Sequence, residues 1–169
     1  SVFVRTSGGS PCGTLTLDGK LILLGASPGI SMTTINFNGT VEYAATGNQD
    51  LLILTSGGTT PNNYTHLTLS GSGNKTPAYT TLNASGNLLI TGSAILVGAS
   101  NTFNVGGNWT NYATAGFTES TSTVNFNGTG AQTINTTGGE DFYIVQKSGT
   151  GTTTLASGVI LGGGASSLN

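Results

Sequence analysis

The stretch STVNFNGTGAQTI, Ser122 to Ile134, decides how the chain folds. Val124 and Phe126 alternate with Asn, and Asn127–Gly128 follows at once. Asn-Gly after alternating apolar residues ordinarily marks a β-hairpin. The same five residues, NFNGT, also occur at Asn36–Thr40, and there Ile35 and Phe37 alternate as Val124 and Phe126 do. A hairpin has no reason to recur with the same flanking pattern. A stacked coil does, because each coil turns the same corner. The pentapeptide therefore reads as a corner, with the preceding Phe facing the core and the glycine supplying φ > 0.

Working outward, the rest of the chain also has the two-residue period of strands. Leu15 and Leu17 alternate with Thr, as do Leu67 and Leu69. Continuous apolar bursts occur at Leu21–Leu24, Leu51–Leu54, Asn87–Ile90, Ala94–Val97, Phe142–Val145 and Val159–Leu161. They suit strands covered on both sides or strands bending round a corner. Glycine, 28 of 169 residues, interrupts the chain too often for helices. About fifteen short strands are expected on this pattern.

Two looser echoes join the first. Gly19–Ser27 (GKLILLGAS) resembles Gly92–Ser100 (GSAILVGAS), and Thr80–Ile90 resembles Thr153–Leu161. Their offsets differ from that of NFNGT, so insertions are expected between strands, with Asn101–Ser120 as one. The predicted fold is all-β: a right-handed parallel β-helix, or β-solenoid, of roughly seven or eight coils, forming one segment over residues 1–169.

Charge excludes several functions. Lys and Arg number four, Asp and Glu six, and net charge is −2. Arg5, Lys20, Lys75 and Lys147 form no basic patch, so no nucleic-acid partner is expected. No apolar run reaches the length of a membrane-spanning helix, so no membrane insertion is expected. Leu, Ile, Val and Phe make up about 24% of the chain, enough for a folded core. Cys12 is alone and reads as a small buried apolar residue rather than a reactive thiol.

The string GGNWTNYATAGFTESTSTVNFNGTGAQTI (Gly106–Ile134) closely resembles a repeat common in very large cell-surface and secreted proteins of Bacteroidetes. The likeness is tightest over those residues and looser through TLTLDGKLILLG and TLNASGNLLITGSAILVG. It implies parallel β-helix segments of adhesins and gliding-type surface proteins, exported by the type IX route, and hence an extracellular or cell-surface location. A shared fold does not carry an activity.

Candidate chemistry is sparse. Glu140–Asp141 is the one adjacent carboxylate pair, and TGGED (Thr137–Asp141) reads as a solvated turn in which both reach water. His66 shares parity with Thr68, opposite Leu67 and Leu69, and so reads as an outer-face residue. One His and one Cys cannot build a zinc site of His/Cys type within the chain. Trp109 and Tyr112 could stack on a sugar, but Trp109 reads as a structural corner residue. T-x-T pairs at Thr14/Thr16, Thr121/Thr123 and Thr152/Thr154 are too dispersed for an ice-binding face. No catalytic residue, cofactor or metal site is expected, and the chain is not expected to be an enzyme. The expected function is that of a stiff structural or adhesive rod. A carbohydrate-binding or carbohydrate-degrading β-helix and an ice-binding solenoid are the alternatives. Ser1–Arg5 and Gly158–Gly164 read as open strands rather than caps. They predict a longer parent chain or end-to-end self-association, with surface polysaccharide as a further partner.

Overall fold

The structure is a computed structural model, and it describes residues 12–51, 55–56, 62–156 and 159–161. The Ser1–Arg5 segment and Arg5 itself lie outside the described residues, as does the side chain of Cys12. The described chain winds through seven levels. The first holds β1 (Cys12–Leu17) and β2 (Lys20–Leu23). The second holds β3 (Ser31–Phe37), β4 (Thr40–Tyr43) and β5 (Gln49–Leu51). The third holds β6 (Thr55–Ser56), β7 (Asn62–Tyr64), β8 (His66–Leu69) and β9 (Ser72–Pro77). Next come β10 (Thr81–Ala84), β11 (Leu88–Ile90) and β12 (Ser93–Val97), then β13 (Thr102–Val105), β14 (Trp109–Asn111) and β15 (Phe117–Thr118). The sixth level is β16 (Thr123–Phe126), β17 (Gln132–Thr136) and β18 (Glu140–Phe142). The seventh is β19 (Ile144–Lys147), β20 (Thr153–Leu155) and β21 (Val159–Leu161).

The strands form three sides. From the second level on, each level contributes one strand to each side, except that the third puts both β6 and β7 on the first side. The first level supplies the first and second sides alone. The second side is one seven-stranded sheet, β2-β4-β8-β11-β14-β17-β20. The first side consists of β1-β3-β6 and β7-β10-β13-β16-β19, and the third of β5-β9-β12-β15 and β18-β21. Every pairing among the described residues is parallel. The protein is thus an all-β solenoid of parallel strands making about six turns between its seven levels, and roughly 30 Å long at the usual inter-strand spacing.

The core is a set of columns. Leu21, Val41, Leu67, Leu88, Trp109 and Ile134 stack in register down the inside of the second side. Leu82, Phe103, Val124 and Val145 do so on the first. Most of these side chains are fully buried, each worth about 1.5–3 kcal/mol. Trp109 packs edge-on against Phe117 and Phe142, with ring centroids 5.1 and 5.4 Å apart.

NFNGT occupies equivalent corners. Phe37 and Phe126 both end first-side strands, and the chain continues into a different sheet instead of returning antiparallel. The glycine works differently from the sequence expectation. Among the described residues the left-handed glycines are Gly71, Gly73, Gly92 and Gly139, and neither Gly39 nor Gly128 is one of them. Instead, a Cβ on Gly39 would overlap the carbonyl oxygen of Gly19, and one on Gly128 that of Gly106. These glycines let corners of successive levels stack at close range.

Other expectations need correction. Asn101–Ser120 is no insertion: β13, β14 and β15 make a complete level, and Thr81, Thr102 and Thr123 follow at intervals of 21 residues. The longer steps are Val41 to Leu67, 26 residues, and Trp109 to Ile134, 25 residues. The GKLILLGAS echo joins unlike places, since β2 lies on the second side and β12 on the third. Leu21–Leu24 is not covered on both sides, because Ile22 is 46% and Leu24 70% exposed. Phe142–Val145 does bend round a corner, from β18 into β19.

Candidate functional site

Polar side chains concentrate in three places: ladders on the outer faces, clamps inside the corners, and one buried carboxyl group. The first ladder lies on the outside of the first side. Asn83 donates to Asn63 (2.8 Å), Asn104 to Asn83 (2.7 Å) and Asn125 to Asn104 (2.9 Å), and the Ser148 hydroxyl closes the row on Asn125 (2.9 Å). Register alone produces this, because parallel stacking sets like residues one level apart.

A second row follows the corner between the first and second sides. His66 Nδ1 accepts the backbone N–H of Asn87 (3.0 Å), Asn87 Oδ1 accepts that of Asn108 (2.9 Å), and Asn108 Oδ1 accepts that of Thr133 (2.8 Å). Each side chain thus satisfies a corner amide in the level above, which would otherwise lack a ladder partner. An Nδ1 that accepts puts the ring proton on Nε2. His66 lies on the outer face, as its parity predicted, but it has this bonding role as well. The row borders a groove of about 420 Å³ whose floor includes Leu89 and Thr110 and which Tyr112 flanks. Tyr112 is 53% exposed.

Inside the corners, Gln49 and Gln132 repeat one arrangement. Gln132 Oε1 accepts the N–H of Gly128 (3.1 Å), and its Nε2 donates to the carbonyls of Val105 (2.8 Å) and Gly107 (2.6 Å). Gln49 Oε1 accepts the N–H of Ala45 (3.2 Å), and its Nε2 donates to Leu23 (3.0 Å) and Gly25 (2.8 Å). Lys75 stacks in register on Gln49 and is buried. Its ammonium donates to the carbonyl of Ala45 (2.9 Å), to that of Gly47 (3.3 Å) and to Gln49 Oε1 (3.1 Å). Burial pulls its pKa below the usual lysine value. Lys75 is therefore an internal cation held by carbonyl oxygens, a role that its scattered position in the sequence concealed.

The carboxylate pair is not a solvated turn. Glu140 and Asp141 lie in β18, with Glu140 buried and Asp141 exposed. They point to opposite faces and do not converge on one point. Glu140 Oε2 accepts from Trp109 Nε1 (2.8 Å) and Asn111 Nδ2 (3.0 Å). Burial raises its pKa to about 7, against the opposing effect of those two hydrogen bonds, and the charges of Glu119 and Asp141 add to the rise. Trp109 is structural, as expected, but it lies in the middle of the core rather than at a corner. Thr14, Thr16, Thr121, Thr152 and Thr154 are exposed.

Among the described residues no group of three or more His, Cys, Asp or Glu side chains could hold a metal ion. On the second side's outer face, Lys20 pairs with Glu42, which also accepts from the Ser70 hydroxyl. Burial would raise the Glu42 pKa, but these two partners outweigh it and hold the carboxyl below its ordinary value. No protein-family model, curated protein or solved structure matches the chain.

Proposed function

We propose that this chain is a structural, adhesive segment of an extracellular β-solenoid, acting as a stiff spacer that holds its outer faces in register. One observation carries the reading: the second side is a single seven-stranded parallel sheet, and it is joined by an Asn ladder on the outside of the first side and by Gln and Lys clamps inside the corners. Hydrogen bonding along the axis is nearly continuous, so bending or shearing the stack breaks many bonds together. Such a design favours mechanical continuity over an enclosed reaction cavity. The separation of Glu140 and Asp141 onto opposite faces of β18 also disfavours a glycan-cleaving carboxylate pair, which must converge on one bond.

The near absence of charge suits a surface exposed to proteases of basic specificity and to variable ionic strength, since neutral ladders do not depend on screening. Sedimentation and negative-stain electron microscopy across a concentration series test the reading. Particles that lengthen by end-to-end addition are expected. Discrete monomers at every concentration, or release of reducing sugar from polysaccharides, would overturn it. Thermal hysteresis in a freezing assay would favour the ice-binding alternative.

A further inference from the structure

The groove on the second side has two unlike edges. Along one run His66, Asn87 and Asn108, one per level, about 4.8 Å apart. Their acceptor atoms are taken by backbone N–H groups of the next level. That fixes the orientation of both amides and of the ring, and it turns Nε2–H of His66 and the Nδ2 groups of Asn87 and Asn108 away from the ladder. The result is a row of three hydrogen-bond donors at a fixed spacing. Along the other edge are apolar surfaces, with Leu89 in the floor and the exposed ring of Tyr112 at the wall. No Asp, Glu, Lys or Arg lines the groove.

These features describe the ligand. Donors without a cation select neutral oxygen acceptors, and a flat aromatic wall selects a face of C–H groups. An extended peptide fits poorly, because carbonyls on one edge of a strand recur only every second residue, about 6.8 Å apart. A pyranose chain has hydroxyl oxygens around its edges and C–H groups on its faces. When β-1,4-linked and extended, it advances by close to one level per sugar. We propose that this groove binds an uncharged, extended β-1,4-linked glycan lying along the solenoid axis. Its hydroxyls accept from His66, Asn87 and Asn108, and one ring packs on Tyr112. The inference rests on the adhesive half of the reading above. Loss of glycan binding with end-to-end association intact would remove the groove's role and leave the rod.

Calorimetric titration with cellohexaose, β-1,4-mannohexaose and xylohexaose tests it, with oligogalacturonate and a neutral extended peptide as contrasts. At least one neutral oligosaccharide is expected to bind with Kd below about 1 mM. Tyr112→Ala, at an exposed ring, is expected to weaken that binding about tenfold or more. Asn87→Asp keeps an oxygen for the Asn108 N–H but replaces the outward donor with a carboxylate, so it is expected to melt as the parent does and to lose a similar factor. Asn104→Asp, on the other ladder, is expected to leave affinity unchanged. Absence of binding by all three neutral oligosaccharides, tighter binding of oligogalacturonate or the peptide, or full affinity in both Asn87→Asp and Tyr112→Ala would overturn the proposal.

Discussion

The indole N–H of Trp109 donates to Glu140 Oε2 at 2.8 Å inside the solenoid, and Asn111 Nδ2 reaches the same oxygen at 3.0 Å. The carboxyl is buried and titrates near 7, against an ordinary value of 4.5. Between those values the folded chain holds a proton that the unfolded chain has released. Stability from this group is therefore complete below about pH 4.5, falls as pH rises to about 7, and is level above that. The full fall is about 3 kcal/mol. Calorimetric melting from pH 4.5 to 8 should show a declining melting temperature in the parent and a nearly flat one in Glu140→Gln.

Glu42 has the opposite sign. Its folded pKa lies below the ordinary value, so its contribution is present above pH 4.5 and is lost as pH falls through the folded value. Replacing it by Gln should remove part of the acid-side loss of stability and leave the Glu140 slope between pH 4.5 and 7 intact. Melting curves of the two single variants and the double variant separate these effects.

Gly39 and Gly19 stack at one corner and should respond unequally to alanine. A Cβ on Gly39 meets the backbone oxygen of Gly19, which cannot move without opening the corner, whereas a Cβ on Gly19 meets nothing within 4 Å. Gly39→Ala should cost about 2 kcal/mol or more, in the range of overpacking. Gly19→Ala should fall within about 0.5 kcal/mol of neutral. Urea denaturation of both variants measures this. Equal effects would mean that the corner relaxes freely.

The corner at NFNGT was legible because its repeat shares both neighbours and spacing, so that Phe37 and Phe126 end equivalent strands. Strand type and parallel stacking were legible from period-two alternation for the same physical reason, a single buried interior. The looser echoes misled. GKLILLGAS and GSAILVGAS look alike because an apolar strand before a glycine corner is a local pattern, and the solenoid has a corner at the end of every side. Glu140 was misread because a carboxyl group after two glycines ordinarily marks a solvated turn. What buries it is Trp109, 31 residues earlier and on the adjoining side, which local sequence does not reveal. The Gln clamps were missed altogether. An isolated Gln gives no signal of facing inward, although the shared four-residue offset from Ala45 to Gln49 and from Gly128 to Gln132 would have linked them.

Those clamps give the most demanding prediction. Gln132 is buried and makes three hydrogen bonds to backbone groups of two levels, and Gln49 makes the same three at its own corner. Leucine at position 132 matches the volume but strands the Gly128 N–H and the Gly107 carbonyl, while the Val105 carbonyl keeps the N–H of Asn127. Each costs about 1–3 kcal/mol when buried, less whatever water recovers. Gln132→Leu should therefore destabilise the fold by about 2–4 kcal/mol, and glutamate there should be as harmful, because a carboxylate cannot donate to Val105 and Gly107. Gln49→Leu carries an extra penalty, since it also removes an acceptor from the Lys75 ammonium. Gln49 and Gln132 lie four levels apart, so the two leucine variants should combine additively to within about 0.5 kcal/mol. Gln49→Leu with Lys75→Met should not be additive, because the pair shares a hydrogen bond and both bond Ala45, Gln49 accepting from its N–H and Lys75 donating to its carbonyl. Denaturant titration of the single and double variants tests both statements, and a sub-additive Gln49–Gln132 pair would show that the stack couples distant corners.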